Sequence, residues 1–566
     1  MIAHVIPLTR LPARFTFFDY HIPQGMEVEI GDLVNITFRG VSLQGVVRGI
    51  AKESTQKKLA ALSKVKKKGI LTSQDILRLE TIAHLIGQSP SSLFCAAIPK
   101  YLSESPPLSL KKISPSSASI SQEEIATAKE YLAVVEATKG ICALQGDSET
   151  GILLAQAIAK RLKKGEQLLI LVPRDRDAEI LEKTLTAKNT QAITGSTKEK
   201  DRSAAFLAWK ENRIEILIGT KQVALWSAPS LTHILVLQAG NDEYANLRRN
   251  PKFDPREAAK LLAVEQGAKY ISIDALPRIE DTGEGSWFTA PSIPFAPTFV
   301  SLSNRTEKTP YPLLTNTLVE SIKTASQSQK KVLLFLNRKG AAKRLQCMAC
   351  DQVPLCGTCG NLPTVRTEDL ICDRCGTEMW IPENCPLCGK PKLKFVGVGG
   401  EKVVADLQKL FPHLSVGFVE KKNDTSWKTA NIIVATEHIF ANLLVPFTRY
   451  TFGLVADLMA DLPVGSVDFR ATEHTSRQLL RLAYLAKREK AECIIQTWIP
   501  ERLPELVAPK YVTEEELRVR RAYLLPPFGT IYKTSEQTLR NPLTPPSTSF
   551  ILDASYVSLS RSSRTR

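Results

Sequence analysis

The sequence predicts a multidomain α/β chain with a small N-terminal β domain, two parallel-sheet lobes, and a zinc-binding module inserted in the second lobe. Three observations predict it. From Glu123 onward, short fully apolar segments alternate with helical stretches, the form taken by a parallel sheet covered on both faces. Before that, the first 50 or so residues hold only short strand candidates broken by glycine and aspartate. Between Cys347 and Cys388, eight of the eleven cysteines fall into four C-x-x-C pairs.

Taken in order, the strand candidates of the opening domain are Met26–Ile30, Leu33–Thr37 and Gln44–Val47, punctuated by Gly25, Gly31, Asp32 and Gly40. A basic run follows, with Lys57, Lys58, Lys64, Lys66, Lys67 and Lys68, and reads as a solvated helix face, a linker or a phosphate contact. Residues 76–86 have helical apolar spacing. The domain with its helical segment takes residues 1–102, and a Ser/Pro/Lys-rich linker takes 103–122. Lobe 1 spans 123–305, with strands at Leu168–Val172, Ile216–Ile218 and Ile234–Leu237 and a helix at Ile152–Leu162. Lobe 2 begins at 306–345 with a strand at Val332–Leu336. It resumes at 396–533 with strands at Ile432–Ala435, Leu454–Ala456 and Cys493–Gln496. Residues 534–566 read as a poorly ordered basic tail.

The cysteine module occupies 346–395. Its pairs are Cys347/Cys350, Cys356/Cys359, Cys372/Cys375 and Cys385/Cys388. One C-x-x-C turn offers two thiolates to a metal, and two turns complete a tetrahedral shell, so four turns imply two Zn²⁺ ions. Eight thiolates around two ions leave no open coordination position, which makes both zincs structural. Spacing alone permits nested or sequential pairing of the turns.

Lysine and arginine exceed aspartate and glutamate by 74 − 58, a formal charge of +16, and the pI is about 9.2. That balance favours a polyanionic partner, nucleic acid first and an anionic membrane surface second. There is no run of eighteen apolar residues, so no membrane span is expected, and Met1–Pro7 lacks the regions of a signal peptide. Zinc-type cysteines without an export signal point to a reducing cytoplasm.

Several separate motifs occur in an order that resembles one family. Phe17-Phe18-Asp19-Tyr20, Pro23-Gln24-Gly25-Met26 and Gly31-Asp32-Leu33-Val34 are similar to the DNA 3′-end-binding domain of the primosomal protein N′ (PriA) replication-restart helicases. The stretch from Val332 to Gly340 resembles the segment leading into that family's zinc insertion. Val396–Glu401 with Leu410-Phe411-Pro412, then Asp468-Phe469-Arg470 and Leu525-Pro526-Pro527-Phe528, resemble the segments beyond it. The resemblance runs from residue 1 to about 533. It implies that the two lobes are RecA-like and that zinc pairing is nested, with Cys347, Cys350, Cys385 and Cys388 on one ion and Cys356, Cys359, Cys372 and Cys375 on the other. It also implies a winged-helix domain, for which residues 88–122 are too few, and a C-terminal domain that the tail does not resemble.

The family's ATPase residues are altered. A P-loop needs glycines for close approach to phosphate and a Lys-Ser/Thr pair for phosphates and Mg²⁺. In the matching place Thr150 survives, but Glu149 stands where the lysine belongs. A carboxylate about 4 Å from a phosphate charge costs about 4 kcal/mol at an effective dielectric near 20. The acidic Asp-Glu-Glu-His box is replaced by Gln238-Ala239-Gly240-Asn241, and neither Gln238 nor Ala239 can be a carboxylate ligand or base. Asp242 and Glu243 lie further along the chain. At the arginine-finger helix the first arginine becomes Leu485, while Arg488 remains. ATP binding is therefore not expected, and no catalytic residues are assigned.

Binding chemistry remains. The resemblance assigns Phe18 and Asp19 to a pocket for the terminal base and 3′ hydroxyl, where an aromatic face stacks and a carboxylate accepts a hydrogen bond. Core filling by Phe17 and Phe18 is the competing role, with one of the two pointing inward. Further DNA candidates are Arg39 and Gly40 in a loop, Thr220 and Lys221 after a lobe 1 strand, and Asn337, Arg338 and Lys339 after a lobe 2 strand. The expected function is recognition of forked or single-stranded DNA with a 3′ end in replication restart, without ATPase or helicase activity. The expected partners are DNA, other primosome proteins and the replicative helicase. The alternative is an ATP-dependent 3′-to-5′ DNA helicase with unconventional nucleotide-site residues.

Overall fold

The computed structural model describes residues 1–56, 58–100, 102, 122–185, 189–245, 250–288, 297–307, 309–311, 313–336, 344–350, 352–358, 363–365, 369–372, 377–396, 399–420, 426–442, 447–461, 468–501, 503–533 and 538–541. The chain divides into two compact units. Among the described residues, the first takes Met1–Leu144, Thr150–Phe288 and the chain from Arg520 to Asn541; the second takes Gln145–Glu149 and the described part of Thr289–Val519.

The first unit opens with an antiparallel sheet of β1 (Ile2–Pro7), β2 (Phe18–His21), β3 (Leu33–Phe38), β4 (Val41–Ala51) and β5 (Lys64–Lys67), in the order β2-β1-β4-β3-β5. Residues 60–62 return to the β2 edge, where His21 N donates to Ala60 O and Leu62 N donates to His21 O, both at 2.9 Å. The sheet thus curls toward a small barrel and leaves little open edge. Ala3, Val5, Tyr20, Val34, Ile36 and Val47 fill its interior. Alternate residues Ile6, Leu33 and Val46 face outward into a second core, shared with Leu79, Phe94, Trp226 and the lobe 1 sheet. Strand alternation is what lets one sheet serve both cores.

Two local expectations are corrected. Met26–Ile30 is loop, not strand. Gly25 and Gly31 bracket it with φ of 82° and 91°. The Asp32 carboxylate accepts from Glu29 N and Gly69 N at 2.9 and 2.8 Å, replacing a strand partner. The lysine run from Lys64 to Lys67 is an edge strand rather than a helix face. Val65, half-buried between lysines, gives it a period of two and packs on the barrel interior.

Helix Ser73–Leu85 begins at a capping box formed by Thr72 and Asp75 and buries Ile76, Leu79, Ile82 and Ala83. Beside it lies helix Pro90–Ala97. Lobe 1 contributes a seven-stranded sheet: β6 (Ile141–Gln145), β7 (Gln167–Leu171), β8 (Thr190–Ile193), β9 (Ile216–Gly219), β10 (Leu231–Leu237), β11 (Lys269–Asp274) and β12 (Ser286–Phe288), ordered β12-β6-β11-β10-β7-β9-β8. Its pairs β11–β10–β7–β9–β8 are parallel.

The second unit holds β13 (Thr298–Ser301) and β14 (Lys331–Phe335), and then the cysteine module. In the module β15 (Arg344–Cys347) pairs antiparallel with β19 (Leu393–Val396), and β16 (Thr364–Val365), β17 (Asp369–Ile371) and β18 (Glu378–Trp380) form a small sheet. The unit continues with β20 (Val416–Val419), β21 (Ile432–Ala435), β22 (Phe452–Asp457) and β23 (Glu492–Thr497). All neighbours in the order β13-β23-β22-β14-β21-β20 are parallel. Val332, Leu334, Val434 and Leu454 face one core, and Leu333, Phe335, Ile433 and Val455 face another, which explains the unbroken apolar runs. β13 lies before the boundary expected at 305, yet it joins this sheet. The expected disordered tail is corrected at one point, since β24 (Thr530–Lys533) pairs with β25 (Thr538–Asn541). The rest of the tail and linker residues 103–121 lie outside the described residues. Among described residues, no helix is long and apolar enough to cross a membrane.

Candidate nucleic-acid interface and metal centre

The antiparallel register of β1 and β2 sets His4 opposite Asp19 and Val5 opposite Phe18. Cross-strand partners share a face, so His4 and Asp19 meet on one side of the sheet and Phe18 lies with Val5 on the other. His4 Nδ1 is 2.7 Å from Asp19 Oδ1, and Ser54 Oγ donates to Asp19 Oδ2. Burial pushes the Asp19 carboxyl up, but the hydrogen bonds from Ser54 and His4 outweigh it and hold the group below its ordinary value. Asp19 is therefore an ionised, oriented acceptor at neutral pH.

Phe18 belongs to an aromatic row. Its ring stacks on Phe15 at 5.7 Å and meets Phe38 edge-on at 4.9 Å. The Arg14 guanidinium sits 5.0 Å from the Phe15 ring and that of Arg39 5.5 Å from Phe38. All three rings are half-buried and both arginines are exposed. Stackable faces flanked by cations are what a single-stranded base and its phosphate require. Phe17 goes the other way, 4.8 Å from His4 and under Arg48 at 5.0 Å. The two rings divide between the two faces, as alternation requires: Phe18 points inward and packs, partly buried, against the barrel interior, and Phe17 packs against the core shared with lobe 1. Arg39 and Gly40 form the two-residue turn joining β3 to β4, with φ of 52° and 78°. A primed turn demands that backbone, and it holds Arg39 at the hairpin tip.

His4, Ser54, Arg14, Phe15 and Phe38 are not singled out by the sequence. Their partnership with Asp19 and Phe18 is a matter of strand register, and no sequence spacing shows it. The other expected DNA contacts stand differently. Lys221 Nζ donates to Pro251 O at 2.8 Å and lies 4.6 Å from the Phe253 ring; desolvation brings its pKa down to about 8. It is spent on an internal contact. Thr220 is half-buried at the end of β9. Asn337, Arg338 and Lys339 lie outside the described residues.

In the cysteine module, the ligand atoms of Cys347, Cys350, Cys385 and Cys388 lie within 4.8 Å of one another. Cys347 and Cys388 sulfurs are 3.6 Å apart, and those of Cys350 and Cys385 3.7 Å. Tetrahedral zinc with Zn–S arms of about 2.3 Å sets sulfurs about 3.8 Å apart, so the cluster fits zinc. The grouping is nested rather than sequential. Each turn is closed the same way: Cys347 N donates to Gln352 O and Cys385 N to Lys390 O, and amides of Ala349 and Leu387 point at sulfur. Cys372 N donates to Thr377 O in the same pattern, and Cys356 and Cys372 are buried. Cys359 and Cys375 lie outside the described residues.

The segment expected to match a P-loop has its own geometry. β6 ends at Gln145 and the next helix begins at Ser148, leaving Gly146 and Asp147 as the whole connection. Residues Gln145–Glu149 group with the second unit. There Glu149 Oε1 accepts from Arg488 Nη1 at 2.7 Å and from Phe447 N at 2.6 Å, with Arg449 at 3.6 Å from Oε2. Burial nevertheless pushes the Glu149 carboxyl up overall, with Arg488 opposing. Leu485 is buried in an apolar core. After β10, Gln238 takes a left-handed φ of 51° and accepts from Asn241 Nδ2, while Ala239 is fully buried. Gly240 N donates to Asp274 of β11. Asp242 and Glu243 are exposed on a single turn beyond.

Residues 6–99 match the 3′DNA-binding domain (3′BD) of PriA. Over nearly the whole chain the sequence is similar to replication restart protein PriA of Rickettsia conorii, at 23% identity over 556 residues, covering 92% of this chain and 85% of that protein. PriA of Haemophilus influenzae is 26% identical over 421 residues, covering 68% and 56%. The resemblance to the PriA family is thus shown along the chain. Among solved structures, S. cerevisiae Dbp5 bound to RNA and ADP BeF3 is similar with a TM-score of 0.36 at 10% identity, covering 71% of this chain and 90% of that one. A DEAD box protein from Methanococcus jannaschii has a TM-score of 0.34 at 12% identity, covering 71% and 91%.

Proposed function

We propose that this chain binds forked or single-stranded DNA bearing a 3′ end in replication restart, and that it does so without ATPase or helicase activity. The observation that carries the reading is Asp19, an oriented carboxylate on the strand whose other face carries an aromatic and arginine row, within a domain matching the 3′DNA-binding domain. The 3′ hydroxyl donates to Asp19 on one face of β2, and a base of the same strand stacks on the aromatic row carried by the other face. Arg39, Lys221, Thr220 and the Asn337-Arg338-Lys339 segment are the backbone contacts of this reading, with Lys221 the weakest because its charge is already engaged. Gly40 serves by shaping the turn. Two structural zincs, the second held by Cys356, Cys359, Cys372 and Cys375, fold the module. A reducing cytoplasm suits eight thiolates. Other primosome proteins and the replicative helicase are the partners a platform of this kind would load.

The motor is absent in this reading because Glu149, Gln238 and Ala239 replace the phosphate and metal contacts. The second reading, an unconventional helicase, is favoured by one observation, the survival of Arg488 beside Glu149.

Fluorescence anisotropy with a synthetic fork tests the binding claim. Affinity should fall steeply with salt, and Asp19→Ala should weaken a 3′-hydroxyl fork about tenfold, the scale of one hydrogen bond to a charged group. Equal affinity of the wild type for a fork ending in a 3′ phosphate would refute end recognition.

A further inference from the structure

We infer that His4 and Ser54 are positioning residues for end recognition: together they fix both oxygens of Asp19, so that the carboxylate reads a 3′ hydroxyl and rejects a 3′ phosphate. The inference rests on the reading of Asp19 as the hydroxyl acceptor.

The geometry is specific. A carboxylate on a strand has a broad two-fold torsion about its last bond and sweeps its oxygens through a wide arc unless both are held. Asp19 is held at both. Oδ1 is engaged by His4 Nδ1, which register places directly opposite, and Oδ2 accepts from Ser54 Oγ on the segment after β4. The facing carboxylate oxygen requires the proton of His4 to sit on Nδ1. His4 is held in turn by the Phe17 ring at 4.8 Å. Each carboxylate oxygen retains lone-pair capacity beyond its one partner, so a single hydroxyl donor can still be received in a set direction. A terminal phosphate brings no hydroxyl at that point and meets the negative charge head-on. Orientation thereby becomes specificity, and two side chains that never touch DNA set it.

The test uses the full chain and two forks identical except for a 3′ hydroxyl or a 3′ phosphate. The wild type should prefer the hydroxyl end about tenfold. His4→Phe keeps an aromatic ring but loses the donor. It should lower that preference to about threefold or less while leaving affinity for the phosphate end unchanged. His4→Asn, whose amide nitrogen falls near the Nδ1 position, should restore the preference. Ser54→Ala, outside the strands, should also lower it and serves if His4→Phe does not fold. A folded His4→Phe or Ser54→Ala with the full preference overturns the inference, as does an equal loss toward both ends. A wild type with no preference overturns the end-binding reading itself, which separates the two failures.

Discussion

At residue scale the decisive feature is how buried charges are matched. Glu149 puts a carboxylate where a phosphate-binding lysine is expected, and Arg488, Arg449 and the Phe447 amide surround it. The anion is therefore supplied by the chain, and the cation that remains of the family pattern is occupied by it. The substitution was legible in the sequence; its partner was not, because Glu149 and Arg488 are 339 positions apart. Asp457 is a second case. It is fully buried at the end of β22, accepts from Met459 N and Gln478 Nε2 at 3.0 Å, and burial pushes its pKa up to about 7. The folded state thus holds this proton at a pH where the unfolded chain has lost it. Stability from Asp457 is present below its ordinary value near 4 and is lost as pH rises to about 7. Asp457→Asn should remove that fall, raising the Tm at pH 8 by several degrees, on the order of 5 °C, relative to wild type, with little gain at pH 4. Thermal unfolding at the two pH values checks it; an unchanged difference would mean the carboxyl titrates normally.

At the scale of elements, periodicity carried most of the assignment. Strands buried on both faces, such as β7, β14 and β21, were recognisable because nothing polar interrupts them. Met26–Ile30 failed because its apolar alternation is outweighed by two left-handed glycines and the Asp32 side-chain bonds. The lysine edge strand failed because charge masked a period of two that only Val65 marks. In the metal module, the repeated C-x-x-C spacing announced zinc, while the nested grouping needed coordinates. The turn at Cys372 closes like those at Cys347 and Cys385, as the proposed second metal-binding group requires. Metal analysis of the purified chain should give two zincs. Cys356→Ser should reduce the count toward one and leave the Cys347 cluster loaded; a count of one in the wild type would remove the second site. Zinc in small thiolate sites contributes about 10–16 kcal/mol of folding energy, so chelation should unfold the module.

At the scale of the whole molecule, the first unit joins the opening barrel to lobe 1 through one continuous core rather than through a flexible link. Trp226 Nε1 donates to Ala97 O at 2.7 Å, Arg78 bonds Asp75 and Glu265, and Lys210 bonds Asp75, all largely buried. Breaking such a buried charge set is costly, so the opening barrel is held firmly on lobe 1. The lobe count and the inserted module were readable from the sequence. This docking was not, because Asp75, Arg78 and Lys210 look like ordinary surface charges along two helices. Under the proposed function the chain is a DNA-end binder with two parallel-sheet lobes, in which Glu149 and Gln238-Ala239 stand where the resemblance expects a lysine and an acidic box. The central claim is tested most directly by phosphate release from ATP with Mg²⁺, at fork concentrations where anisotropy shows the chain fully bound. The proposed function predicts no DNA-stimulated release above background, and none gained by Glu149→Lys, since Gln238 and Ala239 still supply no carboxylate for Mg²⁺ or the attacking water. DNA-stimulated turnover in the wild type, abolished by Glu149→Ala or Asp242→Ala, would contradict it.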